Sequence, residues 1–346
     1  MLPWESSRDS QRFRKIFRAS NHSGKVTQLD TQQRPSIWNL VAKTSKPIVR
    51  LAGRSGGAPL YLVHAVGGDV GVFQPFAEMI ADSRTIYGIQ VPSHKFDAES
   101  SIYELAEYYV DALMHFQPEG PVMLGGWSVG STIALEMAQI LKRRGRDVPL
   151  LISFDGNLYH TGARISAWSP RYLRELLGNV RHWANDARSH RLGVVCTIER
   201  LYRDWRMARD CWAIERNLRG KVSVAFLKES AWPPNRLPLI RSLYRAGEVY
   251  YPKPYDGRVL VYLATIQSLF HLWQVEACWA RIAPKIDFHS IYCMHEHMFE
   301  KDLPKQMGLH LREYLLKLME PSQPAPVQVT AEAREYNRST ERSPQH

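Results

Sequence analysis

Near the middle of the chain the run Gly125-Gly126-Trp127-Ser128-Val129-Gly130-Ser131 places a G-x-S-x-G pattern after a short apolar strand, 122–124, and before a helix-periodic stretch, 132–141. A strand–turn–helix that sharp closes only if the serine takes strained backbone angles. Gly126 and Gly130 leave the room, because larger side chains would meet the neighbouring strand and helix. The pattern therefore demands a sheet beneath it and a helix whose positive N-terminal end points at Ser128. The surrounding sequence supplies both. Stretches 47–51, 60–63, 85–90, 150–154, 258–263 and 288–292 also read as strands, the first two joined by the turn formers GRSGG. Stretches 73–81, 102–116 and 306–318 repeat apolar residues at helical spacing, and Gly145 stands where a helix over 132–141 would stop. This alternation implies an α/β fold with a mostly parallel central sheet flanked by helices on both faces. Segment 163–250 breaks it. That segment is helical in periodicity, rich in Arg and aromatics, with one strand-like run at 222–226, the pattern of a helical lid inserted over a sheet edge.

A serine hydroxyl is a weak nucleophile until a base takes its proton, and the base needs an orienting carboxylate. In this architecture the chain order is serine, acid, histidine. Asp155 ends the apolar run 150–154 and so leaves the sheet at the edge that holds Ser128; capping a loop or helix is its plainer role. The histidines that follow are His271, His289, His295 and His297. His295 stands in the loop 293–299 after a strand, with His297 two residues on as its competitor. The H-E-H triplet also matches a metal pair, although no other clustered ligands accompany it and no metal is expected. The oxyanion hole needs two backbone N–H groups. Val129, after the nucleophile, offers one; Val66, in the loop His64-Ala65-Val66-Gly67-Gly68, offers the other. His64 precedes Ser128, the wrong order for the base, and reads as structural support. No G-K-[ST] follows the glycines, so this is not a phosphate loop.

The formal net charge of +11 over 346 residues admits nucleic acid, a membrane surface or an acidic protein as partner. It is unevenly placed: +8 over 1–58, −6 over 59–162, +10 over 163–258 and −1 over 259–346. The excess thus belongs to an N-terminal extension, 1–46, and to the lid, while the segment bearing the serine is acidic. The extension is polar and basic and is expected to be flexible, with 11–18 able to form a short basic amphipathic helix. The Pro-, Ser- and Gln-rich 321–346 is expected to be a disordered tail. The N-terminus lacks an apolar signal region, no apolar run is long enough to span a membrane, and Cys196, Cys211, Cys278 and Cys293 show no paired spacing. A cytoplasmic location without integral membrane association is the expectation.

Taken together, the block Pro59–Gly68, the strand residues 86–90, the stretch 120–130, Ala134-Leu135-Glu136-Met137-Ala138 and the H-x-x-M-F loop at 295–299 resemble the thioesterase domains of nonribosomal peptide and polyketide synthetases. The resemblance covers 47–318, the lid matching in character only. It implies an α/β-hydrolase fold over 47–320, a Ser128–Asp155–His295 triad with the first histidine of the loop as base, and oxyanion donors at Val66 and Val129. It further implies that an acyl or peptidyl chain, held as a thioester on the phosphopantetheine arm of a carrier protein, is released by hydrolysis or cyclisation through an acyl-enzyme. No cofactor would be bound by the chain itself. Ser131 stands where the family usually has Gly, an exchange expected to be tolerated, and Cys293-Met294 replace a small or Pro-Gly pair. With no L-G-G-x-S carrier motif in the sequence, the partner is expected to act in trans, as for stand-alone editing or offloading members. Arg200, Arg203, Arg206 and Arg209, interleaved with aromatics, form a candidate dock for that acidic partner; a solvated helix face is the plainer reading. A small-molecule carboxylesterase or lipase shares the chemistry, and a non-catalytic carrier-binding scaffold is the alternative of another class. No nucleic-acid module is recognisable.

Overall fold

A computed structural model describes residues 47–53, 56–91, 101–158, 160–161, 177, 232–266 and 275–319. The expected extension, the tail, the helix at 11–18 and the strand at 222–226 lie outside these residues. Among the described residues, seven strands form one sheet in the order β1-β3-β2-β4-β5-β6-β7. The strands are β1 (Ile48–Ala52), β2 (Leu60–Val63), β3 (Ile86–Ile89), β4 (Met123–Trp127), β5 (Leu151–Phe154), β6 (Arg258–Ile266) and β7 (Lys285–Met294). β1 runs antiparallel to β3, and every other pairing is parallel. β1 and β2 therefore make no hairpin: β3 lies between them in the sheet.

The helices are α1 (Gln74–Met79), α2 (Ile102–Phe116), α3 (Val129–Arg143), α4 (Leu237–Glu248), α5 (Val275–Ile282) and α6 (Leu303–Met319). Parallel strands need crossovers, and α1, α2 and α3 supply them between β2, β3, β4 and β5. α2 begins with a capping box: Glu104 N–H donates to Ser101 Oγ at 3.2 Å, and Ser101 N–H donates to the Glu104 carboxylate at 2.8 Å. α3 is buried from Gly130 to Leu141. Its apolar stripe shows from Thr132 onward, and its first turn begins at Val129, directly after Ser128, as the turn requires. α5 was not expected from the sequence.

Alternate strand residues divide the core into two layers. Tyr61, Val63, Leu124, Leu151, Val259 and Val261 face α2, α3, α4 and α5. Leu60, Leu62, Met123, Ile152, Phe154, Leu260 and Tyr262 face α1 and α6. Both faces of the sheet are thus covered, which is why its central strands are continuous apolar runs rather than alternating ones. No helix among the described residues is long and apolar enough to cross a membrane.

Strand order reverses at β2: β3 lies on one side of it and β4 on the other. Chains leaving the carboxyl ends of β2 and β4 therefore diverge and open a crevice, the position where open α/β sheets hold ligands. Register fixes what borders it. Val63 aligns with Gly126, Trp127 with Phe154, and Phe154 with Tyr262. Phe154 anchors this edge from below, stacked on Tyr262 at 5.2 Å and edge-on to Phe76 at 5.2 Å and Phe299 at 5.1 Å. Truncating it removes a fully buried ring that contacts these three and Phe73, whose ring centroid lies 6.3 Å away. Phe154→Ala should lower stability by about 3–5 kcal/mol in denaturant unfolding; a loss under about 1 kcal/mol would contradict this packing.

Candidate active site

Ser128 occupies the turn between β4 and α3 with φ 58° and ψ −123°, a conformation costing an L-residue about 1–3 kcal/mol. Its N–H donates to Phe154 O at 3.1 Å, so the strained residue is tied to the neighbouring strand. The glycines are dictated by contact. A Cβ on Gly126 would lie 2.1 Å from Gly130 O, and a Cβ on Gly130 would lie 2.3 Å from His64 O and 2.6 Å from Val63 O. The first turn of α3 thus presses directly on the end of β2, bringing Val129 and the loop 64–68 to the same edge. Ser131, expected to be a tolerated departure, has a part of its own: its buried Oγ donates to Gly126 O at 2.6 Å. Its methylene fits because position 156 has no Cβ, which would lie 2.2 Å from Ser131 Cβ.

Asp155 follows the last residue of β5 and is 3% exposed. Its N–H donates to Tyr262 O at 2.8 Å, and its φ of 49° turns the chain sharply off the strand. β6 runs on past the end of β5, and in that overrun the N–H of Ala264 donates to Asp155 Oδ1 at 3.1 Å. The next peptide is held as well: Gly156 N–H donates to Ser153 Oγ at 3.3 Å, and the buried Trp279 of α5 donates its indole N–H to Gly156 O at 2.8 Å. The other carboxylate oxygen, Oδ2, lies 2.8 Å from Nδ1 of His295.

His295 is reached because β7 continues to Met294, as far past β5 as β6 does. It begins a short 3-10 turn, His295–His297, and its side chain is 40% exposed. The ring lies 5.7 Å from that of Trp127, the residue before Ser128. A carboxylate only accepts, so His295 Nδ1 carries the proton and the neutral ring leaves Nε2 with a lone pair. Burial pushes the imidazolium down, but the hydrogen bond and charge of Asp155, with the charge of Glu296, more than offset it and raise the His295 pKa above its ordinary 6.5.

The other candidates separate from this pair. His297 turns its Nδ1 to Glu300 Oε2 at 2.9 Å. His289 stacks on His310 at 3.6 Å, on the α6 side of the sheet. His64 is buried, bonded to Ala65 O and Tyr109, in line with a structural part. His271, and Arg200, Arg203, Arg206 and Arg209, lie outside the described residues. Cys293 is buried, its thiol pushed up to about 12 by burial first and then by the charges of Asp155 and Glu296, so it stays protonated beside the histidine.

Of the expected lid, α4 is described. It packs on the crevice: Trp232 and Leu239 lie against Gly67 and Gly68, and Gly247 lies against Val129. Tyr244 feels the charge of Glu296 beside the histidine. Sequence reading did not find Trp127, Ala264 or Trp279 as parts of the site. The β6 overrun was concealed by the ordinary composition of 264–266, and the Trp279 contact joins residues more than a hundred positions apart.

The Asp155–His295 pair carries a pH signature. Its folded-state histidine pKa is raised, so its stabilisation is fully present below about pH 6.5 and is lost as pH rises through the higher folded value. In Asp155→Asn the His295 pKa should fall when followed by NMR titration of the ring, since burial is then opposed by the charge of Glu296 alone. An unchanged value would show that Asp155 does not set it.

A family model described as Thioesterase domain matches residues 58–307. Nonribosomal peptide synthetase btyA of Aspergillus terreus is 35% identical over 117 residues, 33% of this chain and 13% of that protein. Probable thioesterase gloN of Glarea lozoyensis is 39% identical over 94 residues, 26% of this chain and 32% of that protein. The matched stretches therefore span a third or less of these relatives. Among solved structures, a four-domain nonribosomal peptide synthetase bound to AMP and glycine superposes with a TM-score of 0.52 at 18% identity, covering 80% of this chain and 21% of that one. The Vlm2 thioesterase domain bound with a dodecadepsipeptide gives 0.50 at 17% identity, over 78% of this chain and 98% of that one.

Proposed function

Because this chain belongs to the thioesterase domain family, with an α/β-hydrolase fold, we propose that it releases acyl or peptidyl chains from the phosphopantetheine arm of a carrier protein, using Ser128, His295 and Asp155 as its triad. The observation that carries the reading is the 2.8 Å contact between Asp155 and His295 at the sheet edge bearing the strained Ser128. In the first step Ser128 Oγ attacks the thioester carbonyl carbon while His295 Nε2 takes its proton. The imidazolium so formed is stabilised by Asp155. The carbonyl oxygen becomes an oxyanion, held by the N–H groups of Val66 and Val129 at the positive end of α3. Collapse of this intermediate breaks the C–S bond, and the imidazolium protonates the departing pantetheine sulfur. Water, or a nucleophile within the acyl chain, then gives its proton to His295 and attacks the acyl-serine. Addition and collapse return the serine hydroxyl and free the product. The reactive arm belongs to the carrier, and the chain contributes positioning, proton transfer and charge stabilisation.

Two measurements test this. Wild type should discharge an acylated carrier protein, and Ser128→Ala should be slower by at least about a thousandfold, as for other triad nucleophiles. Equal discharge by the two would contradict the triad. Turnover of soluble esters alone would instead mark a small-ester hydrolase, and carrier binding without turnover a scaffold. Because the base acts as neutral imidazole, the acylation rate should climb with pH through a transition above 6.5. A flat profile from pH 5 to 9 would contradict His295 as the base.

A further inference from the structure

His64 and Tyr109 have no step in this chemistry, yet they are joined in a way that space filling does not require. His64 is 0% exposed, and its ring is bonded at both nitrogens. Nδ1 lies 2.7 Å from Ala65 O, and Nε2 lies 2.7 Å from the hydroxyl of Tyr109, a fully buried residue of α2. The chemistry fixes every proton. A carbonyl oxygen only accepts, so Nδ1 is the donor; in a neutral ring Nε2 then accepts, so the Tyr109 hydroxyl donates to it. Burial pulls the His64 pKa down to about 4, so the ring is neutral at any working pH and the tautomer does not change.

The consequence lies in the peptide that His64 grips. Ala65 C=O and Val66 N–H are opposite ends of one planar unit, and the peptides among the described residues are trans. Holding the oxygen therefore aims the N–H. Ala65 O takes a second bond, from Gly68 N–H at 2.9 Å, so the carbonyl is held by two donors. The loop is braced in turn by His64 N–H to Ile89 O at 3.0 Å and Val91 N–H to Gly68 O at 3.0 Å. The His64 carbonyl abuts Gly130, next to Val129.

We propose that Tyr109 and His64 form a positioning relay, hydroxyl to imidazole to Ala65 carbonyl, that aims the Val66 N–H at the oxyanion of the acyl-transfer step. The proposal rests on the triad reading above and deepens it. Neither side chain touches the substrate, so both are positioning residues. Their effect falls on the transition state, whose oxyanion sits where the donor points, and not on binding of the uncharged thioester.

The experiment uses four variants of the full chain, Tyr109→Phe, His64→Leu, His64→Asn and Ser128→Ala, with an acyl-pantetheine thioester as substrate. Competent serines are counted by fluorophosphonate labelling run to completion, and kcat is expressed per labelled site. Leu removes the donor to Ala65 O; the Asn amide nitrogen replaces Nδ1. His64→Leu should lose about 10–100-fold in kcat per site with KM changed less than about twofold, a fraction of what deleting an oxyanion donor costs. His64→Asn should recover to within about threefold of wild type, and Tyr109→Phe should lose about three- to tenfold. Affinity for a trifluoromethyl ketone analogue should fall in parallel with kcat/KM across the series. If His64→Leu yields no labelled protein, Tyr109→Phe, which keeps its ring, decides. Per-site kcat unchanged in Tyr109→Phe and in any folded His64→Leu would overturn the relay, leaving these residues a role in stability only. Undiminished turnover by Ser128→Ala would instead overturn the triad reading itself.

Discussion

The backbone of Ser128 is bent into a positive φ, and much of the site follows from what must surround that bend. Gly130 lies within contact of the Val63 and His64 carbonyls, so the start of α3 is seated on the end of β2. This single approach brings together the loop carrying Val66, the N–H of Val129 and the serine hydroxyl. A side chain at residue 126 or 130 would force the helix off the strand. The strain at one residue is offset by a ladder of parallel pairings below it and by the Ser128 N–H bond to β5.

Strand length does the remaining positioning. β5 stops after four residues while β6 and β7 continue, so the acid leaves the sheet early and the histidine late. The overrun of β6 gives Asp155 a backbone donor on one oxygen and leaves the other for His295. The acid is thus clamped through its backbone, its carboxylate and the following peptide. Such a carboxylate can hold the imidazole in one tautomer without moving, which is what proton transfer to Nε2 needs.

Much of this was legible in the sequence. Gly126, Ser128 and Gly130 announce the turn because only a close approach explains glycine on both sides of a serine. The four-residue buried strands were readable as apolar runs between turn formers, and α2 by its stripe and its Ser101–Glu104 cap. Chain order and position picked Asp155 and left His295 with His297 as its competitor; the family resemblance favoured His295, and the structure joins that histidine to Asp155 rather than His297 or His289. What stayed hidden involves partners without local pattern. Trp279 grips Gly156 from a helix that was not expected, across more than a hundred positions. Ala264 contributes a backbone group, which no residue name reveals. The partnership of His64 with Tyr109 spans 45 positions and depends on how α2 crosses the sheet. Ser131 looked like a neutral exchange for glycine, whereas its hydroxyl is bonded to Gly126 O inside the turn and its bulk fits against a glycine 25 positions away.

The central claim is that a thioester's acyl group passes through Ser128. The most direct measurement is the intact mass of the protein, quenched during turnover of an acyl-pantetheine thioester, followed by peptide mapping. A mass increase equal to the acyl group, located on Ser128, released with time and absent from Ser128→Ala, is the predicted result. Turnover with no covalent adduct, or an adduct that persists in Ser128→Ala, would contradict it.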